Sequence, residues 1–198
     1  RYTGVTVNGF SINIQPGQPI TGSFTLLGKA ISTPATTELS GATYTSADLT
    51  PVMTAPKVVD IEIGGISAIS KCFNSLQLTL NNNNRAVECI GTLGPREMLL
   101  GRAEVTSQFS VLFNDSGLLT TMIDQDETSL EFFTVDTSGT GSPNPENKYG
   151  WYLPRVKFTA DPVVAGGPNQ DVVHAVTAQG LLDTHTSTTL LISRTHRA

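Results

Sequence analysis

Alternation of apolar and polar residues with a period of two runs through most of this chain, and it restricts the fold more than any other feature. Successive side chains of a β-strand point to opposite faces, so this alternation predicts strands with one covered face and one wet face. In 75–80 (SLQLTL), the leucines point one way and Ser75, Gln77 and Thr79 point the other. The chain is therefore expected to be all-β.

The alternating segments are separated by turn signals. QPGQP follows the first strand, and NNNN at 81–84 suits a turn because Asn tolerates left-handed backbone conformations. Pro154 predicts a strand edge or a bulge, since proline has no N–H to donate. Residues 136–148 are expected to form an exposed hairpin tip. The predicted strands are 5–14, 20–28, 57–63, 75–80, 102–113, 128–135, 149–158, 171–179 and 188–194.

Two further strands have clear faces. In 20–28, Ile20, Phe24 and Leu26 share one face, and Thr21, Ser23 and Thr25 share the wet face. In 102–113, the inward residues are expected to be Ala103, Val105, Phe109, Val111 and Phe113. The outward residues of that strand are Glu104, Thr106, Gln108 and Ser110. The wet faces of these strands together carry one acid and no base.

One segment has a different period. In NDSGLLTTMID, Asn114 or Asp115 can cap a helix, and apolar residues recur at helical spacing. The stripe consists of Leu118, Leu119, Met122 and Ile123. We predict one short helix here.

Composition narrows the class of protein. Charged residues make up only 15% of the chain, the net charge is -5, and no apolar run is long enough to span a membrane. This balance disfavours a conventional nucleic-acid binder, because affinity for phosphate comes from Lys and Arg. Cys72 and Cys89 have no metal-site spacing, so we interpret them as buried, reduced thiols of a protein folded in the cytoplasm. The chain lacks an initiator Met, which we interpret as a trimmed N-terminal portion.

Sequence signatures of catalysis or metal binding are weak. His174, His185 and His196 are eleven residues apart, which fits neither a helical pair nor one strand face. Asp124 begins an acidic run like that of a calcium loop, but Ser129 and Val135 occupy the positions that need Gly and Glu. No nucleophile or phosphate-loop motif occurs. We therefore expect a protein that is not an enzyme and has no cofactor or metal.

Charge is distributed unevenly along the chain. Eight acids and no base lie between Arg102 and Lys148. One copy could thus present its acidic side to the basic side of another, in a head-to-tail contact that closes a ring or builds a helical array. The residues expected at such contacts are Asp124, Asp126, Glu127, Arg85, Arg96 and Arg155.

A competing interpretation is a carbohydrate-binding β-sandwich module. Tyr149, Trp151 and Tyr152 are close together on a predicted strand, and sugars stack on aromatic faces. A module should remain a small monomer, whereas a structural subunit should self-assemble.

Several segments together resemble a known family. SLQLTLNNNNRAVECIGTLGPREMLLGRAEVTSQFSVLF, the following helix, TSLEFF, LPRVKFT, NQDVV and TTLLISR resemble the tail tube (major tail) proteins of long, flexible, non-contractile bacteriophage tails. The resemblance runs from about Val5 to Arg194.

The resemblance implies a single domain over 1–198, with a β-sandwich or barrel-forming fold and one short flanking α-helix. It implies hexameric rings that stack into a channel for DNA ejection, assembly in the host cytoplasm, and a place in the virion tail beside other tail proteins, without contact with a membrane. DNA would pass through the lumen without tight binding, along a wall that we assign to Thr21, Ser23, Thr25, Ser75, Gln77, Thr79, Glu104, Thr106, Gln108 and Ser110. Residues 30–56 are expected to form a long contact between rings, anchored by Tyr44, Leu49 and Met53.

Overall fold

The computed structural model describes residues 2–31, 58–68, 71–114, 116–136, 147–165 and 167–195. Within them, the chain forms strands and one helix, so the predicted all-β fold class with one short helix is confirmed. The elements are β1 (Tyr2–Thr3), β2 (Thr6–Ile14), β3 (Thr21–Leu27), β4 (Ala30–Ile31), β5 (Val58–Ile63), β6 (Ile66–Ser67), β7 (Phe73–Asn81), β8 (Arg85–Val87), β9 (Glu97–Leu99), β10 (Glu104–Leu112), α1 (Gly117–Ile123), β11 (Glu127–Asp136), β12 (Asn147–Ala160), β13 (Val163–Ala165), β14 (Val172–Gly180) and β15 (Leu191–Thr195).

Most of the strands belong to one large sheet. Its order is β3-β2-β7-β10-β14-β12-β11-β5-β6, with β13 paired to β14 and β15 paired to β12. The ribbons β1–β4 and β8–β9 are separate two-stranded sheets. The long predicted strands are all present, within a few residues of their expected ends. The very short strands, such as those of the ribbons, were not predicted, since two or three residues cannot display a period.

The chain divides into two compact units. Unit 1 comprises Arg1–Phe10, Ser23–Thr50 and Leu80–Glu104, and unit 2 comprises Ser11–Gly22, Pro51–Thr79 and Val105–Ala198. Every buried hydrophobic residue of the described chain belongs to unit 2. The largest fully buried hydrophobic side chains are Phe132, Leu78, Leu130, Leu153, Val105, Val111, Val156 and Val176. Unit 2 therefore contains the hydrophobic core.

Pro154 marks the predicted bulge. Thr128 of β11 pairs with Val156 of β12, and Leu130 of β11 pairs with Leu153 of β12. The step between these pairs is longer on β12 than on β11, so β12 carries one extra residue. On its other edge, β12 pairs with β15 as far as Tyr152 and with β14 from Val156 onward. Pro154 lies between these two paired stretches of β12, where its missing N–H costs no hydrogen bond between strands.

The four consecutive asparagines of unit 1 form more than the predicted turn. Asn83 has the left-handed backbone expected for such a turn (φ 50°). The Nδ2 groups of Asn82 and Asn84 both donate to the Val7 carbonyl, at 3.1 Å each. The Nδ2 of Asn83 donates to the Arg102 carbonyl at 3.0 Å. Side-chain amides thus connect three segments of unit 1 that are far apart in sequence.

Some predicted inward residues are not covered. Phe24 and Leu26 were expected to share a buried face, but their side chains are 69% and 56% exposed. Alternation identifies the two faces of a strand without showing whether anything covers either one, and β3 is at the end of the sheet. Ala103 and Phe113 are likewise exposed, because β10 begins after the first and ends before the second.

The thiols and the helix also differ from expectation. Cys72 is exposed and Cys89 is half-buried, so the prediction that both are buried is wrong. Each lies outside the strands, where no inward face is available. The helix begins at Gly117 with Ser116 at the cap position and without a side-chain capping bond, and Leu118 is its buried residue. Asp115 lies outside the described residues.

Candidate assembly surfaces

A polar face covers the central strands of unit 2. Leu76 and Leu78 of β7 and four residues of β10 point into the core, so the alternate residues point to the opposite face. Across β10 and β14, the paired positions on this face are Thr106 with Gln179, Gln108 with Thr177, and Ser110 with Ala175. The face is therefore continuous over neighbouring strands and consists of hydroxyls, amides and a small apolar residue.

This face contains a shallow groove. The groove has a volume of about 450 Å³ and is lined in part by Gln77, Gln108, Ser110, Thr177 and Asn13. Below it, the Ser107 hydroxyl occupies an inward position and donates to the Gln77 carbonyl at 3.1 Å. That bond lets a polar residue occupy a core position at little cost. The groove is wet, and its described lining residues carry no charge.

None of the ten residues assigned to the lumen wall is buried. Thr21, Ser75, Gln77, Thr79, Thr106, Gln108 and Ser110 belong to unit 2, whereas Ser23, Thr25 and Glu104 belong to unit 1. These side chains therefore do not pack in a core, which would have contradicted their assignment to a water-filled lumen. Sequence reasoning missed Gln179 and Thr177, since it left β14 out of the polar face.

The polar face also includes one basic residue, Lys157. Lys157 of β12 pairs with Gln179 of β14, and its partner on the other side is Glu127 of β11. The alternation of 149–158 is interrupted by the bulge at Pro154, so the sequence alone did not align Lys157 with the polar strands. An acid directly beside this base offsets its charge.

Glu127 and Arg155, both expected at contacts between subunits, bind each other within one chain. Arg155 donates from Nε to Oε2 at 2.6 Å and from Nη2 to Oε1 at 2.7 Å. This bidentate hydrogen bond from Arg155 lowers the pKa of Glu127, and the nearby charge of Lys157 lowers it further. Both side chains are about 40% exposed, so the pair remains accessible to solvent. Their charges already offset each other, which reduces the electrostatic attraction that either side chain can exert on a second copy.

Other residues expected at subunit contacts are exposed. Asp124 and Asp126 follow α1 in unit 2, whereas Arg85 and Arg96 lie in unit 1. The structure assigns none of these four an ion pair with another described residue. Tyr44, Leu49 and Met53 lie outside the described residues, as does 32–57; only Ala30 and Ile31 of the predicted long loop are described, as β4.

The aromatic cluster belongs to the core. Trp151 is 7% exposed and stacks on Phe132 with ring centroids 4.9 Å apart. Tyr149 stacks on Trp151 from the side, and the Arg194 guanidinium lies 5.6 Å from the Tyr149 centroid. Trp151 therefore offers no open face on which a sugar could stack, and the carbohydrate-binding interpretation loses its main support.

His174 takes part in a buried polar pair. Its Nδ1 is 2.7 Å from Oδ1 of Asp161, and both side chains are almost fully inaccessible. The ring stacks on Phe113 with centroids 4.7 Å apart. Among the described residues, no group of three or more His, Cys, Asp or Glu side chains could hold a metal ion. Nor does any described helix have the length and apolar character needed to cross a membrane.

Three acids crowd together on β5 and β11. Glu131 pairs directly with Glu62 across the two strands, and Asp60 is two residues away on the same face. Burial raises the pKa of Glu131, and the charges of Glu62 and Asp60 raise it further. Ionised Glu131 is therefore less favourable in the folded chain than in the unfolded chain.

Replacing Glu131 with Gln is expected to raise the free energy of unfolding at pH 7 by about 0.2–1 kcal/mol, the usual size of a cross-strand charge effect. A raised folded pKa means that stability is lost as pH rises from the ordinary glutamate range through the folded value. The gain should consequently disappear below about pH 4. Urea unfolding at both pH values measures it, and an equal gain at both would contradict the electrostatic cause.

A protein-family model covers most of this chain. The chain matches the model described as phage tail tube protein over residues 1–180. No curated protein sequence matches the chain. The family match confirms the resemblance to phage tail tube proteins that was drawn from the sequence.

Proposed function

This chain belongs to the phage tail tube protein family, a family of structural proteins, and we propose that its copies close into hexameric rings that stack into a channel for DNA ejection. As a member of the family, it is a structural component of the virion tail. The proposal extends this to a long, flexible, non-contractile tail, to assembly in the host cytoplasm beside other tail proteins, and to DNA that passes without tight binding.

The polar face of unit 2 carries this proposal. It presents uncharged side chains over β7, β10 and β14, while the opposite face of the same strands is buried. A broad wet face on one side of a covered sheet suits the interior of a wide barrel that holds water. Apart from Glu104, which repels phosphate, and Lys157, whose charge Glu127 offsets, the described residues of this wall carry hydroxyls, amides and small apolar groups, so DNA can slide along it. The ten residues assigned to the lumen wall are part of this proposal.

The ring contact is supported by the strand at the end of the sheet. β3 has a partner, β2, on one side, and within the described part of the chain no strand pairs with its other side. Nearly every residue of β3 is exposed, and none is charged or a proline. Natural proteins usually protect such an edge with charges, proline or a covering element. An edge left open in one subunit is a template for a strand of the next, and ring closure removes it.

Charge supplies a second contribution to the subunit contact. With Glu127 and Arg155 paired internally, Asp124 and Asp126 remain as the acids best placed to meet another copy. Arg85 and Arg96 are exposed bases on the other unit. A contact of this kind is heterologous, as a ring requires.

An Asp126→Lys variant is expected to need a few-fold higher protein concentration to assemble, since each exposed pair contributes roughly 0.2–1 kcal/mol. The difference should be largest at low salt and should shrink as salt screens the charges. Sedimentation measures the concentration at which assemblies appear. Asp171→Lys is the matched control, because Asp171 is also exposed and belongs to unit 2. Equal effects of the two substitutions would remove Asp126 from the contact.

Residues 30–56 complete the proposal as a contact between rings within a single-domain subunit. The segment from Ala30 to Pro56 carries only Glu38 and Asp48 as charges and scatters its apolar residues without a period. Such a segment cannot bury enough apolar surface by itself to offset the entropy of ordering it, so a neighbouring ring would have to supply that surface. A map of the assembled tube in which this segment touches only solvent would contradict this contact.

Negative-stain microscopy of the purified protein tests the proposed function directly. Rings or filaments with a central channel are expected. A protein that stays a monodisperse monomer at high concentration would overturn the proposal and favour a binding module.

A further inference from the structure

Unit 1 has an unusual surface for a folded unit. None of its described residues is a buried hydrophobic residue, and ten of the eighteen exposed large hydrophobic residues of the described chain belong to it. Unit 1 nevertheless has fewer than half as many described residues as unit 2. Apolar surface left in water is unfavourable, and concentrated patches of it mark interaction sites.

The most exposed of these residues lie on one hairpin. β8 and β9 form a two-stranded arm over 85–99, in which Ala86 pairs with Met98. At its apex, the Thr92 N–H donates to the Cys89 carbonyl, so Ile90 and Gly91 are the central residues of a tight turn. Gly91 has the positive φ (88°) that a type II turn needs at its third position. Ile90 is therefore displayed at the apex, and its side chain is fully exposed.

The base of the arm is held in place. Asn84, just before β8, donates to the Val7 carbonyl and accepts from the Gly101 N–H just after β9. A Cβ at Gly101 would collide with the backbone of Asn83, so the two ends of the arm approach more closely than other residues allow. An isolated two-stranded hairpin is marginally stable in water, and these bonds offset part of the cost of ordering it. The apex is thus presented on a fixed base, which favours binding because less order has to be imposed on contact.

Unit 1 also contains an apolar groove. The groove has a volume of about 460 Å³ and is lined mainly by Tyr2, Ile31 and Leu93, all of which are exposed. Lys29 contributes to its lining and is exposed as well. The Lys29 N–H donates to the Thr3 carbonyl, which fixes the backbone at this side of the groove.

We propose that the Ile90 apex of one copy docks into the groove lined by Tyr2, Ile31 and Leu93 of a second copy. Glu88, two residues before Ile90, is exposed and has the charge opposite to that of Lys29 in the groove. This inference rests on the proposed self-assembly and names one of its contacts. Each copy has one apex and one groove, so every copy donates to one neighbour and receives from another, which is the condition for a ring or a filament.

The first test removes the apolar apex. Ile90→Ser is expected to raise the protein concentration needed for assembly by about tenfold or more, since burial of an isoleucine side chain is lost at every contact. Ile66→Ser is the matched control, because Ile66 is also highly exposed but lies in β6 of unit 2. Sedimentation velocity gives the assembly threshold of each variant, and circular dichroism checks that each remains folded. Equal thresholds for the two variants would overturn the proposed contact.

The second test identifies the partner surface. Glu88→Lys and Lys29→Glu should each weaken assembly at low salt, and the double variant should restore it, because the opposite charges are exchanged across the contact. A mixture of Ile90→Ser with Ile31→Asp should give dimers that do not grow, since only one intact apex and one intact groove can meet. Failure of the double variant to restore assembly would overturn this contact alone. Wild-type protein that never assembles would overturn the proposed function together with it.

Discussion

Particles whose tubes are built from a Gln108→Lys variant are expected to eject their DNA at least about tenfold more slowly than wild-type particles, or not at all. Gln108 lies on the polar face, in the groove and opposite Thr177, and it is exposed. Its inward neighbour Phe109 remains in the core, so the subunit should fold and tubes should form. A lysine at this position would bind phosphate weakly. In a tube, the contact would be repeated in every subunit, and many weak contacts with one DNA molecule act together.

Gln108→Glu is the matched control, with the same position, a similar size and the opposite charge. It should leave the ejection rate close to that of the wild type, since a carboxylate repels phosphate. The rate is measured from the fraction of genome released over time, at low and at raised salt. Raised salt should restore much of the rate of the lysine variant. Wild-type ejection by the lysine variant at low salt would remove Gln108 from the lumen wall.

The strands could be predicted from the sequence because their alternation is a local property. Leu76, Leu78, Val105 and Val111 are buried as predicted, since each belongs to a strand in the interior of the sheet. Phe24 and Leu26 show the same alternation and are exposed, since coverage of a face depends on what the rest of the sheet packs against it. A period of two therefore predicts which residues share a face, but not which faces are buried.

The candidate assembly surfaces could be predicted only in part, because they depend on contacts between residues that are distant in sequence. No local pattern reveals such contacts. Glu127 and Arg155 are 28 residues apart and meet only because β11 pairs with β12. Lys157 reaches the polar face only because Pro154 introduces a bulge that shifts the register. The aromatic cluster could be read from the sequence as a sugar platform because Tyr149 and Trp151 alternate on one face. The stacking of Trp151 on Phe132 of the neighbouring strand is a property of the sheet.

The pair formed by His174 and Asp161 is also a contact between distant residues that no local pattern reveals. Its loss is expected to affect stability strongly. The sequence presents His174 only as a candidate metal ligand, whereas its strand places it opposite Val111 on one side and Val163 on the other. Asp161 directly follows β12 and reaches it from there. The second carboxylate oxygen, Oδ2, has no hydrogen-bond partner within the described residues. A buried carboxylate in this position is tolerated because Nδ1 of His174 satisfies its other oxygen.

Asp161→Ala is therefore expected to lower the free energy of unfolding by about 3–5 kcal/mol, the usual cost of removing one partner of a buried polar pair. The imidazole would remain in the core without its carboxylate, beside the ring of Phe113. The midpoint of urea unfolding measures the loss, and Asp171→Ala, at an exposed carboxylate of the same unit, should change it by less than about 0.5 kcal/mol. A double variant, Asp161→Leu with His174→Phe, should recover much of the loss, because apolar residues of similar volume replace both members of the buried pair. If the single and double variants unfold at the same midpoint, the loss comes from packing and the buried pair does not determine the stability of this edge of the core.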